Sequence, residues 1–110
     1  MAAGFDGYLV DLRRATRTYY LSSGETAEFS SPPPSKPVGA NFEAETIRQA
    51  IKEAQELKPG YTYQGFCAKI AAAGCAGYVV SLLGTRVLYF GRSGETHTEY
   101  FPGTKPGARQ

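Results

Sequence analysis

The 25 residues from Ala2 to Thr26 return 70 positions later as Ala72 to Thr96, with no gap and about half the positions identical. Ala2, Ala3, Gly4, Gly7, Tyr8, Val10, Leu12, Tyr19, Ser23, Gly24, Glu25 and Thr26 all recur. A chain of 110 residues that carries one unit twice has to build a single modest core from two related pieces. Such a sequence says far more about architecture than about activity.

In the first copy Tyr8, Val10 and Leu12 alternate with Asp11 and Arg13, the period of a half-buried strand over 7–13. A turn over 14–16 leads to a strand over 17–21. Ser22-Ser23-Gly24 makes a hairpin connection, with glycine supplying the positive φ, and a strand over 25–29 closes the meander. The second copy predicts strands over 78–83, 86–91 and 95–101. Val79 and Leu83 fall on one side and Val80 and Leu82 on the other, so this meander reads as the more buried, central one. Eight tyrosines and no tryptophan suit a sheet-rich fold.

Between the copies, residues 30–40 form a linker whose prolines at 32, 33, 34 and 37 hold it near polyproline II, a semi-rigid spacer. Asn41 then offers an N-cap, and Glu43 and Glu45 place negative charge in the first turn of a helix. Ile47, Ala50, Ile51, Ala54 and Leu57 share one face of this helix over 41–58, with Phe42 at its margin; Pro59-Gly60 ends it. Thr62 caps a second helix that turns Phe66, Cys67, Ile70 and Ala71 inward and stops at Gly74. The expected fold is α+β and a single domain. It is an antiparallel sheet of about six strands from two repeated three-stranded meanders, covered by two helices, with a frayed tail over 103–110. In the second copy a helix precedes Ala72-Ala73-Gly74, but in the first the same tripeptide follows Met1 directly. The first meander is therefore expected to leave Tyr8, Val10 and Leu12 short of cover. Helix 42–57, a second chain or residues before a truncated start are the three ways to supply it.

The net charge of +2 argues against nucleic acid or a membrane surface as partner, although Arg13, Arg14 and Arg17 lie close to Tyr19 and Tyr20. No apolar run reaches the length of a membrane helix. Asp6, Asp11, Arg13 and Arg14 interrupt any signal-peptide core, which makes the cytoplasm the default compartment. Cys67 and Cys75 fit neither a zinc pair nor a redox motif and read as buried free thiols. GRSGET lacks the spacing of a phosphate loop, and no nucleophile elbow, metal set or cofactor motif is found. Chemistry then rests on the last strand, where alternation puts Glu95, His97 and Glu99 on one face, with Arg92 in the hairpin before it. Glu25 matches Glu95, which marks that glutamate as a turn residue. His97 and Arg92 stand where the first copy has Ala27 and Ser22, so the shared architecture does not require them. Tyr8 and Tyr19 return as Tyr78 and Tyr89, which raises the possibility of an aromatic ligand pocket where the copies meet.

The run YQGFCAKIAAAGCAGYVVSLLGTRVLYFGRSGETHTEYFP closely resembles small bacterial proteins known as a domain of unknown function (number thirteen-ninety-eight), whose members are sometimes labelled phage envelope protein. The likeness extends upstream through FEAETIRQAIKEAQ and GYLVDLRRATRTYY. It departs at the start of the chain, where family members carry an extra helical segment. The resemblance implies an α+β fold and brings no activity, cofactor or catalytic residue. Two function classes follow. One is a non-enzymatic binding or interaction protein, a homodimer through the first meander. The other is a small-molecule binder or weak acid/base enzyme using His97 with Glu99 and Arg92. A concave pocket reaching His97 favours the second class; a flat, solvated His97 favours the first.

Overall fold

A computed structural model describes residues 4–103. Ala2 and Ala3 of the first copy and most of the expected tail lie outside them. Six strands and two helices follow in the order β1 (Phe5–Asp11), β2 (Thr16–Leu21), β3 (Thr26–Ser30), α1 (Ala44–Glu56), α2 (Tyr63–Ala72), β4 (Cys75–Ser81), β5 (Arg86–Gly91) and β6 (Thr96–Tyr100). All neighbouring strands are antiparallel, in the spatial order β3-β2-β1-β4-β5-β6. The two meanders therefore lie side by side, and β1 against β4 forms the middle of the sheet. The second meander is not central as a whole: it runs from the middle to the opposite edge.

The register at this seam is symmetric. Leu9 faces Val79, and on either side Tyr8 faces Val80 as Val10 faces Tyr78, and Gly7 faces Ser81 as Asp11 faces Gly77. Both central strands bulge at the matching place, between Phe5 and Gly7 and between Cys75 and Gly77. The turns after them match too, with Ala15 and Thr85 both held at left-handed φ of 57° and 50°. Each central strand starts three or two residues earlier than periodicity indicates, because pairing continues through the bulge. Leu82 and Leu83 fall in a turn, and Leu83 is 75% exposed.

Residues opposite one another share a face, so Tyr8, Val10, Tyr78, Val80, Val87 and Tyr89 all lie on one side of the sheet. Both helices cover that side. Ile47, Ala50 and Ile51 of α1 and Phe66, Cys67, Ile70 and Ala71 of α2 are buried, as their spacing predicts. Ile47 and Ile70 are sealed completely, each worth about 1.5–3 kcal/mol of transfer free energy. Cys67 and Cys75 are buried free thiols. Leu57 is instead 72% exposed, because α1 has ended at Glu56 and Leu57 takes a left-handed C-cap with φ 49°. The N-cap of α1 is Glu43, with no side-chain cap, rather than Asn41. Its start is set by tertiary bonds: the N–H of Gly39 donates to Ala71 O and that of Glu43 to Ala73 O, clasping the end of α2.

Cover for Val10 and Leu12, at 2% and 7% exposure, comes from α2 and the proline segment, with Ser31–Ser35 facing Thr62–Gly65 across a hollow floored by both residues. The proline segment is thus part of the packed fold, and Val38 is buried within it. What stays open is the outer part of the first meander, where every residue of β3 is exposed. No helix among the described residues is long and apolar enough to cross a membrane.

Candidate functional site

Thr62 ends an extended stretch and its Oγ1 accepts the N–H of Gly65 at 2.9 Å, which starts α2 directly above the sheet. That start lowers Tyr63 onto the seam. Its hydroxyl lies 2.6 Å from that of Tyr78 and accepts a hydrogen bond from Arg17 Nη2 at 2.8 Å. Arg17 Nη1 donates to Tyr19 Oη at 3.3 Å. The Arg17 guanidinium also stacks over two rings, 5.2 Å from the centre of Tyr8 and 5.5 Å from that of Tyr63. Tyr8 pairs with Tyr19 and Tyr78 with Tyr89, each at 5.3 Å between centroids. Beneath the helices these rings border a hollow of about 250 Å³, lined by Tyr8, Tyr61, Tyr63, Tyr78 and Tyr89 with Ile51, Val80 and Val87 among the apolar walls.

Burial dominates the proton chemistry here. It pushes Tyr63 up to about 12 and raises Tyr78 and Tyr89 further, so all three phenols stay neutral hydrogen-bonding groups across the physiological range. Burial opposes the charge on Arg17, but the hydrogen bond to Tyr19 and the phenol oxygens of Tyr63 and Tyr78 outweigh it. The result is a fixed cation set among neutral phenols.

At the edge strand, His97 lies opposite Tyr89, with 6.4 Å between ring centroids. His97 Nε2 meets Glu99 Oε2 at 2.7 Å, and the two side chains are 21% and 27% exposed. Glu95 lies outside β6 and accepts the Ser93 hydroxyl at 2.7 Å, as Glu25 accepts that of Ser23 at 3.2 Å. Arg92 donates from Nη1 to the carbonyl of Val38 at 2.9 Å and borders a different hollow with Arg13 and Lys36. Among the described residues no group of three His, Cys, Asp or Glu side chains could hold a metal ion.

Residues 8–99 match the family model described as Protein of unknown function (DUF1398). The chain belongs to this family. The matched span runs from Tyr8 of β1 to Glu99 of β6 and so includes the whole tyrosine cluster and the His97–Glu99 pair. No curated protein matches the chain.

The fold thus brings His97 to Glu99 and Tyr78 to Tyr89, holds Arg92 to the proline segment and leaves Glu95 in a turn. In the sequence Arg17 stands out only as one of a basic cluster with Arg13 and Arg14, and Tyr63 does not stand out at all. For Arg17 a signal was present: the matching residue 70 positions on is Val87, a strand-face apolar residue. Tyr63 had none, since only the seat of α2 on the seam brings it to Tyr78.

Proposed function

We propose that this protein is a non-enzymatic binding protein that works as a homodimer through the outer part of its first meander. The supporting observation is the apolar surface left there. Phe29 is 57% exposed and Leu21 38%, and Phe5, Tyr19 and Phe29 form a continuous aromatic row at 5.6 and 5.8 Å leading out to the edge. Large apolar side chains grouped on the part of a sheet face that the helices leave open mark an interaction surface more than single scattered ones do. The opposite edge differs in kind: His97 and Glu99 occupy the positions that match Ala27 and Phe29. Two copies meeting through this row would bury the same surface on both, as a twofold interface requires.

Light scattering over a range of concentrations tests this. The native chain is expected at twice the monomer mass, with Phe29→Lys weakening association about tenfold or more by placing a charge in the contact. A monomer at every concentration, in both proteins, sinks the proposal. A second reading, an acid/base or ligand site built on His97, draws on its 2.7 Å contact with Glu99 beside Tyr89. Under it, His97→Ala lowers ligand binding or turnover with unchanged thermal stability.

A further inference from the structure

Backbone direction alternates along a paired strand, and two bonds fix its phase in β3. The N–H of Leu21 donates to Glu25 O and that of Ser31 to Ala15 O, so residues 25, 27, 29 and 31 turn their N–H and C=O groups toward β2. Those of Thr26, Glu28 and Ser30 point the other way, out of the sheet, along an edge exposed at every residue. Edge strands are commonly guarded by lysine, proline, a bulge or a covering loop. β3 has no lysine or proline within it and pairs with β2 without a bulge. Its one charge, Glu28, lies 3.9 Å from Arg14. The strand is thus a template for one more antiparallel strand.

A second β3 related by a twofold axis can pair with it in only a few registers. Centred on Glu28, the pairing sets two carboxylates directly opposite, which is destabilising. Centred on Ala27, it places Phe29 against Glu25 of the second copy. Centred on Phe29, it joins Glu28 to Ser30 of the second copy and Ser30 to its Glu28 as hydrogen-bonded pairs, and keeps like charges apart. The two Phe29 residues then form a close, non-hydrogen-bonded pair with about 4.5 Å between Cα atoms, where side chains meet best. Pro32 faces Thr26 of the second copy and ends the ladder, having no N–H to give. The row of Phe5, Tyr19 and Phe29 continues through this centre into the same row of the second copy. At the other edge the residue matching Phe29 is Glu99, so the same pairing of β6 with itself would oppose two carboxylates. We propose that two copies join edge to edge, β3 against β3 in antiparallel register about Phe29, into one continuous sheet with the helices of both on the same side. This rests on the homodimer reading above and names the strand, the register and the backbone groups that make the contact.

The test uses the native chain, with amide hydrogen exchange and light scattering at matched concentrations. In dilute solution the amides of Glu28 and Ser30 should exchange freely. They should slow about tenfold once free chain stands at about ten times the dimer Kd, while Thr96, Thr98 and Tyr100 of β6 keep their dilute rates. In a mixture of labelled and unlabelled chains, an isotope-filtered NOE should connect the Hα atoms of Phe29 in the two copies. A monomer at every concentration overturns this proposal together with the homodimer reading. A dimer whose Glu28 and Ser30 amides still exchange freely overturns the edge pairing alone. So do slowing confined to β6, or a filtered NOE that joins Ala27 to Ala27 or Glu28 to Glu28 instead.

Discussion

Gly7 and Gly77 occupy matching bulges of the two central strands, and a methyl group at either would be driven into a carbonyl of the strand opposite, that of Val80 or Val10. Gly77 has no positive φ to favour glycine, so the whole requirement comes from close approach. Gly77→Ala should therefore cost about 2 kcal/mol or more through forced backbone displacement. Gly94→Ala, at φ 88° with open space around it, should cost only the ~1 kcal/mol of a left-handed alanine. Denaturant unfolding of both variants checks the order; equal costs would remove the close-approach argument. Titration follows the same burial logic. Burial pushes the Cys75 thiol up to about 11 and raises Cys67, Tyr63, Tyr78 and Tyr89. A folded pKa above the unfolded one means that stability is full below the unfolded value and is lost as pH rises through the folded one. For Cys75 that window runs from about 9 to about 11 and is worth about 2–3 kcal/mol. The melting temperature should hold steady through mild alkali and fall above about pH 9. A melting temperature unchanged at pH 11 would contradict the burial of these groups. Glu25 and Glu95 were legible as turn residues because recurrence exposes a shared local need. Arg17 was legible only as one of a basic cluster with Arg13 and Arg14, although its mismatch with Val87 was visible, because a mismatch signals nothing until its surroundings are known.

At the scale of elements, α2 and α1 begin by different means. The first turn of α2 depends on one side-chain bond, from Thr62 Oγ1 to the N–H of Gly65, so Thr62→Ala should lower stability by about 1 kcal/mol. It should also loosen Tyr63 from Tyr78, visible as a shift in the Tyr63 ring signals. Asn41→Ala, at an exposed position with no capping bond, should stay within about 0.5 kcal/mol of the native chain. If the asparagine variant proves the more harmful, the assignment of the caps is reversed. Periodicity located both helices and, Leu57 apart, their buried faces, since Ile47, Ile51, Phe66 and Ile70 answer to a 3.6-residue repeat that packing then enforces. Boundaries escaped it. The start of α1 is decided by Glu43 bonding to Ala73, thirty positions away, and its end by a leucine in a left-handed cap. Neither leaves a local pattern, just as the covering of Val10 and Leu12 by prolines and α2 does not follow from the residues around them.

For the whole molecule, protection decreases from the seam outward on one side more than on the other. β4 begins with four buried residues and lies between β1 and β5 under both helices' side of the sheet, whereas β3 is an edge strand exposed along its length. The recurrence of 25 residues made two meanders legible, but not that their first strands pair antiparallel about Leu9 and Val79. That choice follows from burying Tyr8, Val10, Tyr78 and Val80 together under α2 rather than in two separate cores. It also leaves the two outer edges unequal, one polar with His97 and Glu99, the other apolar with Leu21 and Phe29. Hydrogen exchange reads this gradient directly. In dilute solution the amides of β3 should exchange through local opening, while those of β4 and the middle of α2 should wait for global unfolding. If two copies join through the first meander, β3 and β2 alone should slow as concentration rises, because association adds its free energy only to openings that break the contact. Phe29→Lys should abolish that concentration dependence and leave β4 unchanged. Slowing spread evenly over β3 and β6, or none at any concentration, would place the contact elsewhere or remove it, and the exposed row from Phe5 to Phe29 would then have to be explained as a monomer's surface.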